Sequence, residues 1–235
     1  MAGCAPPVAH TDQPELLLMT SLPLRFGETT MKERLQGGGA PAVVYGRLEK
    51  RFAIRSLDDL NRLDGKPGAI LLLAQPRAFA PTELVALDNW LRGGGRALIL
   101  ADPALRWPSD YQIGDPRRPL FTSLLSPLFT HWGIELVQPM DQSTKRVDLT
   151  VDGRAIETVT PGAFVNLQSA DTPAANCHAM GMVARCTIGE GQAILLADAD
   201  LLHERFWSRD GPLGLAGDRR ANIELIESML ATLSK

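Results

Sequence analysis

Between residues 69 and 101 the chain reads as strand, helix, strand, and this unit restricts the fold more than any other stretch. Ala69-Ile70-Leu71-Leu72-Leu73-Ala74 is apolar at every position, the pattern of a strand covered on both faces. Pro81 suits the first turn of a following helix, and Glu83 complements the helix dipole. Leu84, Leu87 and Leu91 fall on one stripe of that helix, Arg92 sits in its last turn, and Gly93 fits the position just past its end. Ala97-Leu98-Ile99-Leu100-Ala101 is the next apolar strand. A crossover of this length is right-handed and joins parallel neighbours. The expected class is therefore α/β, a mainly parallel sheet with helices on both faces.

The flanking segments extend the pattern. Glu15 to Leu24, between Pro14 and Pro23, reads as a first buried strand, and Arg51 to Leu57 as a second. Asp58 to Leu63 suits a brief helix that ends at Gly65. Pro119 to Trp132 is helical in pattern but interrupted by Pro127, with Ser126 placed to cap the second piece. Ile134 to Val137 reads as a strand. Val147, Leu149 and Val151 alternate into Asp152-Gly153, a hairpin signal that predicts an antiparallel excursion near 145–164. Met182–Ile188 and Gln192–Ala197 are strands joined through Gly189-Glu190-Gly191. Asp218 is placed to cap a closing helix whose apolar stripe is Ile223, Ile226, Leu230 and Leu233. Residues 1–14, small and Pro-rich, read as a disordered tether, Gly37-Gly38-Gly39 as a mobile loop, and 15–235 as a single domain.

Bulk properties narrow the function classes. The 235 residues are 45% hydrophobic and 22% charged with a formal net charge of −3, an ordinary globular balance. The basic residues form no stripe, which argues against a nucleic-acid partner. The longest apolar runs, Leu16–Met19 and Ala69–Ala74, are far shorter than the roughly 20 residues that span a bilayer. Membrane association is expected only through a lipid anchor. Met1-Ala2-Gly3-Cys4, followed by Ala5-Pro6-Pro7, resembles the end of a bacterial lipoprotein signal, and makes Cys4 a lipidation candidate. Setting Cys4 aside leaves Cys177 and Cys186, either a disulfide in an oxidising compartment or two reduced thiols in the cytoplasm. The cell envelope is the expected location, the cytoplasm the alternative.

Ligands of open α/β sheets bind outside the carboxyl ends of the strands. Those ends supply the ligand-binding candidates Ser21, Gln75, Asp102, Asp198, Asp200 and His203. Short polar residues also terminate strands and cap helices in any fold of this class. Asp198, Asp200 and His203 have spacing that suits an oxygen-rich cation site, although Arg205 or Arg209 can balance the same carboxylates, and no metal is expected. The glycine clusters stand in the wrong order for a phosphate loop, and no cofactor is expected. No Gly-x-Ser-x-Gly elbow is present; Ser21 with His203 and Asp198 is a formal triad that no spacing selects. Asp115, Arg117 and Arg118, in the loop from Gly114 to Pro119, form either an anion clamp or, as favoured, a salt-bridged loop.

Three segments carry a family resemblance. They are Ala86-Leu87-Asp88-Asn89-Trp90-Leu91-Arg92-Gly93-Gly94-Gly95 running into Leu98-Ile99-Leu100-Ala101-Asp102-Pro103, then Gly189-Glu190-Gly191-Gln192-Ala193-Ile194-Leu195-Leu196-Ala197-Asp198-Ala199-Asp200, and the closing helix with Asn222 before its stripe. Over roughly residues 65–103 and 186–233 the chain resembles the gliding-motility-type auxiliary component of ABC transport systems and related glutamine-amidotransferase-like domains. The resemblance implies an extracytoplasmic domain of the flavodoxin-like, amidotransferase-like class, without the catalytic apparatus of true amidotransferases. It also implies a transporter ATPase and permease as partners, with a small-molecule ligand as a further expectation. A non-catalytic binding or docking domain is the expected function. A hydrolase or amidotransferase-like enzyme working at the strand ends is the alternative.

Overall fold

The computed structural model describes residues 13–27, 40–64, 66, 68–141, 143–168, 174–206, 208–210, 216–218 and 221–235. Cys4, residues 37–39 and most of the expected tether lie outside the described residues. The first half of the chain gives β1 (Glu15–Thr20), α1 (Val43–Glu49), β2 (Ala53–Ser56), β3 (Ile70–Ala74), α2 (Pro81–Arg92), β4 (Arg96–Leu100), α3 (Ser126–His131) and β5 (Ile134–Val137). The second gives β6 (Arg146–Val151), β7 (Arg154–Val159), β8 (Ala163–Asn166), β9 (Asn176–Met180), β10 (Val183–Ile188), β11 (Gly191–Leu196), β12 (Ser208–Asp210), β13 (Ala216–Asp218) and α4 (Ala221–Leu233).

A seven-stranded sheet runs in the order β2-β1-β3-β4-β11-β10-β9. Its first five strands are mutually parallel, whereas β10 is antiparallel to both of its neighbours. The expected pairing of β3 with β4 is present, Leu72 opposite Leu98. On either side Leu18 lines up with Leu72 and Ile194 with Leu98, a continuous aliphatic row across four strands. These strands carry apolar runs because both faces are covered, and every residue of β3 is buried. Each fully buried leucine contributes about 1.5–3 kcal/mol.

The direction of the crossovers decides where the helices go. From β1 through α1 to β2 the chain steps one way along the sheet; from β3 through α2 to β4 it steps the other way. With both connections right-handed, α1 and α2 cover opposite faces. Side-chain bridges agree with that division. Arg47 of α1 pairs with Glu227 of α4 at 3.2 Å, whereas Asp88 of α2 accepts a 2.8 Å bond from the indole N–H of Trp132, just past α3.

Helix α2 starts at Pro81, and the Glu83 carboxylate turns back to accept from the Ala80 N–H at 3.0 Å. Alanine has no side-chain acceptor, so only the glutamate half of a capping box exists. Trp90 is buried along with Leu87 and Leu91, and the Leu84 position is only partly covered. Past the helix, two glycine clusters dock on one another: the Glu190 N–H bonds the Arg92 carbonyl at 3.0 Å and the Gln192 N–H the Gly95 carbonyl at 3.1 Å. A Cβ on Gly191 would penetrate the carbonyls of Leu91 and Gly95.

The excursion after β5 is a hairpin of β6 and β7, followed by β8, which pairs antiparallel with β5. Asp152 and Gly153 have φ of 48° and 76°, the two positive values that a primed two-residue turn requires. At the far rim of the main sheet Cys177 of β9 and Cys186 of β10 are cross-strand neighbours joined by a disulfide, with Cα atoms 4.0 Å apart. Asn166 holds the outer edge of β9: its Nδ2 donates to the Cys177 carbonyl at 2.8 Å, and its Oδ1 accepts from the Ala179 N–H at 3.1 Å. The Cys177 carbonyl thus points away from β10, as in the non-hydrogen-bonded antiparallel pair that brings Cα atoms closest.

Several expectations need correction. The first strand stops at Thr20, where the chain bends into the loop carrying Ser21. Residues 119–125 form no helix; Pro127 lies in the first turn of α3, and Ser126 itself is helical without a capping bond. Proline there begins a helix rather than kinking one, because the first-turn N–H has no intrahelical partner to lose. Asp218 belongs to β13, not to the start of α4.

Candidate functional site

The strand order turns around between β1 and β3, and a crevice opens there, at the carboxyl ends of β1, β2 and β3. Its volume is about 600 Å³, and Ser21, Arg25, Ser56, Arg77, Tyr111 and Arg117 contribute its polar wall. Open α/β folds bind ligands at this topological position. Thr20 and Ser21 end β1 by turning their hydroxyls onto the next strand: Thr20 Oγ1 donates to the Ala74 carbonyl at 2.6 Å, and Ser21 Oγ to the Gln75 carbonyl at 2.5 Å. A hydroxyl whose proton already points at a backbone carbonyl is positioned to accept from a ligand.

Carboxylates organise the arginines of the crevice. Arg77 forms a two-pronged pair with Glu83, at 2.6 and 3.0 Å. Hydrogen bonding by Arg77 holds the Glu83 carboxyl down at about 2, against a desolvation effect of the opposite sign. Arg117 pairs with Asp115 at 2.6 Å and lies over the Tyr111 ring, 4.2 Å from its centre. The Asp115 carboxyl is lowered to about 2 by the side chain and then the backbone N–H of Arg117. The favoured salt bridge of this loop is therefore present, and it also fixes Arg117 as a wall of the crevice. Arg25 donates to the Ser56 hydroxyl at 3.1 Å.

The other sequence candidates form a rail along the strand ends. Gln75, Asp102, Asp198 and Asp200 are fully buried. Gln75, with a φ of 43°, directs its Nε2 to the carbonyls of Asp102 (3.2 Å) and Leu120 (2.9 Å), and its Oε1 accepts the Asp102 N–H at 2.8 Å. Asp102 accepts in turn from the backbone N–H groups of Ala104 at 2.8 Å and Ala199 at 2.9 Å. Asp198 accepts from the Thr158 hydroxyl at 2.7 Å and the Leu201 N–H at 2.8 Å. Asp200 takes the Arg106 N–H at 2.6 Å and Arg205 at 3.4 Å. Burial first, then the Asp200 charge, raises the Asp102 pKa to about 7; burial and then Asp102 raise Asp198 well above the usual range; burial raises Asp200 to about 6.

His203 stands apart. Its Nδ1 accepts the Arg205 N–H at 3.1 Å, its ring lies 4.7 Å from that of Trp107, and burial, then Arg205, lowers its pKa to about 4. Asp198 and Asp200 do not converge with it on one cation: among the described residues no group of three or more His, Cys, Asp or Glu is placed to hold a metal ion. Nor does the structure bring the formal triad together, since Ser21 bonds Gln75 while Asp198 bonds Thr158.

Ser21 is thus the one strand-end candidate that lines the crevice, joined by Arg117 of the loop that offered an anion clamp. Arg25, Ser56, Arg77 and Tyr111 carried no motif, because they reach the crevice from three separate loops and the end of β2. Among the described residues no helix is long and apolar enough to cross a membrane.

No curated protein matches the chain. Among solved structures, the mmIFT52 N-terminal domain is 16% identical with a TM-score of 0.53, over 94% of this chain and 97% of that one. Gan42B, a GH42 β-galactosidase, is 12% identical with a TM-score of 0.47, over 94% of this chain and 30% of that one. A protein from Bacteroides uniformis described as ThuA-like is 10% identical with a TM-score of 0.40, over 94% and 100%. Of these three only the first exceeds 0.5, and at that identity it bears on the fold alone. The sequence itself is more specific: matching over residues 13–174, more than half of its length, the chain belongs to the family described as ABC-type uncharacterized transport system.

Proposed function

We propose that the protein is a non-catalytic accessory domain of an ABC-type transport system, of the flavodoxin-like, amidotransferase-like class, that works outside the cytoplasm by binding a polar ligand or docking its ATPase–permease partner. The observation that carries the non-catalytic reading is the state of the strand-end rail. Its three aspartates accept bonds from backbone N–H groups, a hydroxyl or an arginine, and sit fully buried. Carboxylates engaged in this way hold strand ends and loops in place; they do not face a substrate. The open crevice supplies hydroxyls and paired guanidiniums instead, a surface for recognition.

The Cys177–Cys186 disulfide supports an oxidising compartment. A lipid on Cys4 would then hold the domain at the membrane, and a single acyl chain binds only marginally, so stable anchoring needs further chains or a partner.

Purification of the full chain from its native membrane under mild detergent tests the reading. An ABC ATPase or permease should co-purify, and mass spectrometry should find an acylated Cys4. A hydrolase screen that uncovered turnover lost in Ser21→Ala or Asp198→Asn, with folding retained, would overturn the non-catalytic assignment.

A further inference from the structure

A second cavity, of about 450 Å³, opens beyond the rail, between the loop after β4, the start of β6 and the turn carrying Arg205. Among the described residues that line it, four are arginines (Arg106, Arg118, Arg146 and Arg205) and none is acidic. Two of these guanidiniums converge on one ring: Arg205 lies 4.6 Å and Arg146 5.4 Å from the centre of Phe206. Like charges this close repel, and Arg146 and Arg205 are each opposed by a carboxylate from behind the wall. Arg146 pairs with the buried Glu157 at 2.5 Å, and Arg205 with the buried Asp200 at 3.4 Å. Arg118 is held by loop carbonyls, those of Tyr111 and Ser109, which aim the guanidinium without cancelling its charge. The described lining thus carries four guanidiniums and no carboxylate, and arginine forks match tetrahedral oxyanions. Phe206, Phe121 and Trp107 supply flat apolar walls beside them.

We propose that this cavity binds a phosphate monoester, with the dianionic head among Arg106, Arg118, Arg146 and Arg205 and its organic substituent against Phe206 and Trp107. The head would bring negative charge to a described lining that has four guanidiniums and no carboxylate. The site is distinct from the switch-point crevice. Its failure would leave the transport-accessory reading untouched, and the converse also holds.

Phenyl phosphate is the probe, titrated into the purified full chain by calorimetry and by the fluorescence of Trp107 in a variant whose other tryptophans are phenylalanine. Saturable binding is expected, tighter than that of inorganic phosphate, which lacks the apolar substituent. Arg118→Gln should weaken it about tenfold or more. Because Arg118 touches loop carbonyls rather than a buried carboxylate, that variant should fold normally, which Arg146→Gln need not do. Arg55→Gln removes the same charge from the opposite end of the sheet and should bind as well as the parent. Vesicles of phosphatidic acid, against phosphatidylcholine, separate two sources of the same chemistry: binding lost in Arg118→Gln assigns a lipid headgroup, and binding confined to phenyl phosphate assigns a soluble ester. Absence of saturation with phenyl phosphate and vesicles alike, or equal affinity in the parent and Arg118→Gln, overturns the site.

Discussion

Gln75 and Asp102 bond each other twice at the ends of adjacent strands: the Gln75 Oε1 accepts the Asp102 N–H at 2.8 Å while its Nε2 donates to the Asp102 carbonyl at 3.2 Å. The amide side chain copies the pairing of a further strand residue and so prolongs the β3–β4 ladder after its backbone has ended. Truncation to Gln75→Ala strands a buried N–H and the carbonyl of Leu120 as well. Loss of about 2–4 kcal/mol of stability is expected, read from urea unfolding. A midpoint unchanged in Gln75→Ala would show that the clamp contributes nothing.

Stability should fall as the solution turns from acid to neutral, contrary to the usual behaviour of carboxylates. Asp102 and Asp200 titrate at about 7 and about 6 in the fold, and near 3.9 in an unfolded chain. Between those values the folded state holds more protons, so their contribution is complete below about pH 4 and is lost as pH rises through 7. His203, lowered to about 4, acts in the opposite sense, its contribution being lost as pH falls from 6.5. Asp198→Asn isolates the first effect, since the amide can donate to the Thr158 hydroxyl and still accept from Leu201. The variant should gain more stability over the parent at pH 8 than at pH 5. Equal gains at the two values would refute the buried-acid account.

Glycine substitutions should separate backbone strain from collision. Gly94 has a φ of 99° and open space where a Cβ would go, so Gly94→Ala should cost about 1–2 kcal/mol. Gly191→Ala drives a methyl into two fixed carbonyls at the junction with α2. Either a loss of more than about 3 kcal/mol or failure to accumulate as folded protein is expected. Thermal melts of the two variants side by side decide the matter, and equal losses would contradict the close approach.

Reduction should loosen the β9 rim without dissolving the molecule. The bridge closes a loop of sequence separation 9, for which the chain-entropy estimate is roughly 2–3 kcal/mol. Cys177→Ser with Cys186→Ser should lower the urea midpoint accordingly and accelerate hydrogen exchange in β9 and β10 before β3 and β4. Uniform acceleration across all four strands would mean that the rim is not a separate unit.

The sequence made the sheet's interior readable and left the sites obscure, for one physical reason. Strands buried on both faces announce themselves as unbroken apolar runs, as in Leu71–Leu73 and Leu98–Leu100, and the Asp152-Gly153 turn needs its residue types for φ alone. Pairings assembled from loops have no such period. Arg25 meets Ser56 across 31 positions, and Asn222 bonds the backbone of Glu157 across 65. The aspartates were recognisable as strand-end polar groups, but most of their partners are backbone N–H groups, which no side-chain pattern records. Asp218, a good capping residue by type, is claimed by β13 instead.

One consequence lies at the margin of the sheet. A strand arriving alongside β9 would need the carbonyl of Cys177 and the N–H of Ala179, and a single asparagine already occupies both. Copies of the protein therefore cannot propagate one continuous β-ribbon from that border without first displacing Asn166. An amide side chain here closes off the two backbone groups that an incoming strand would use.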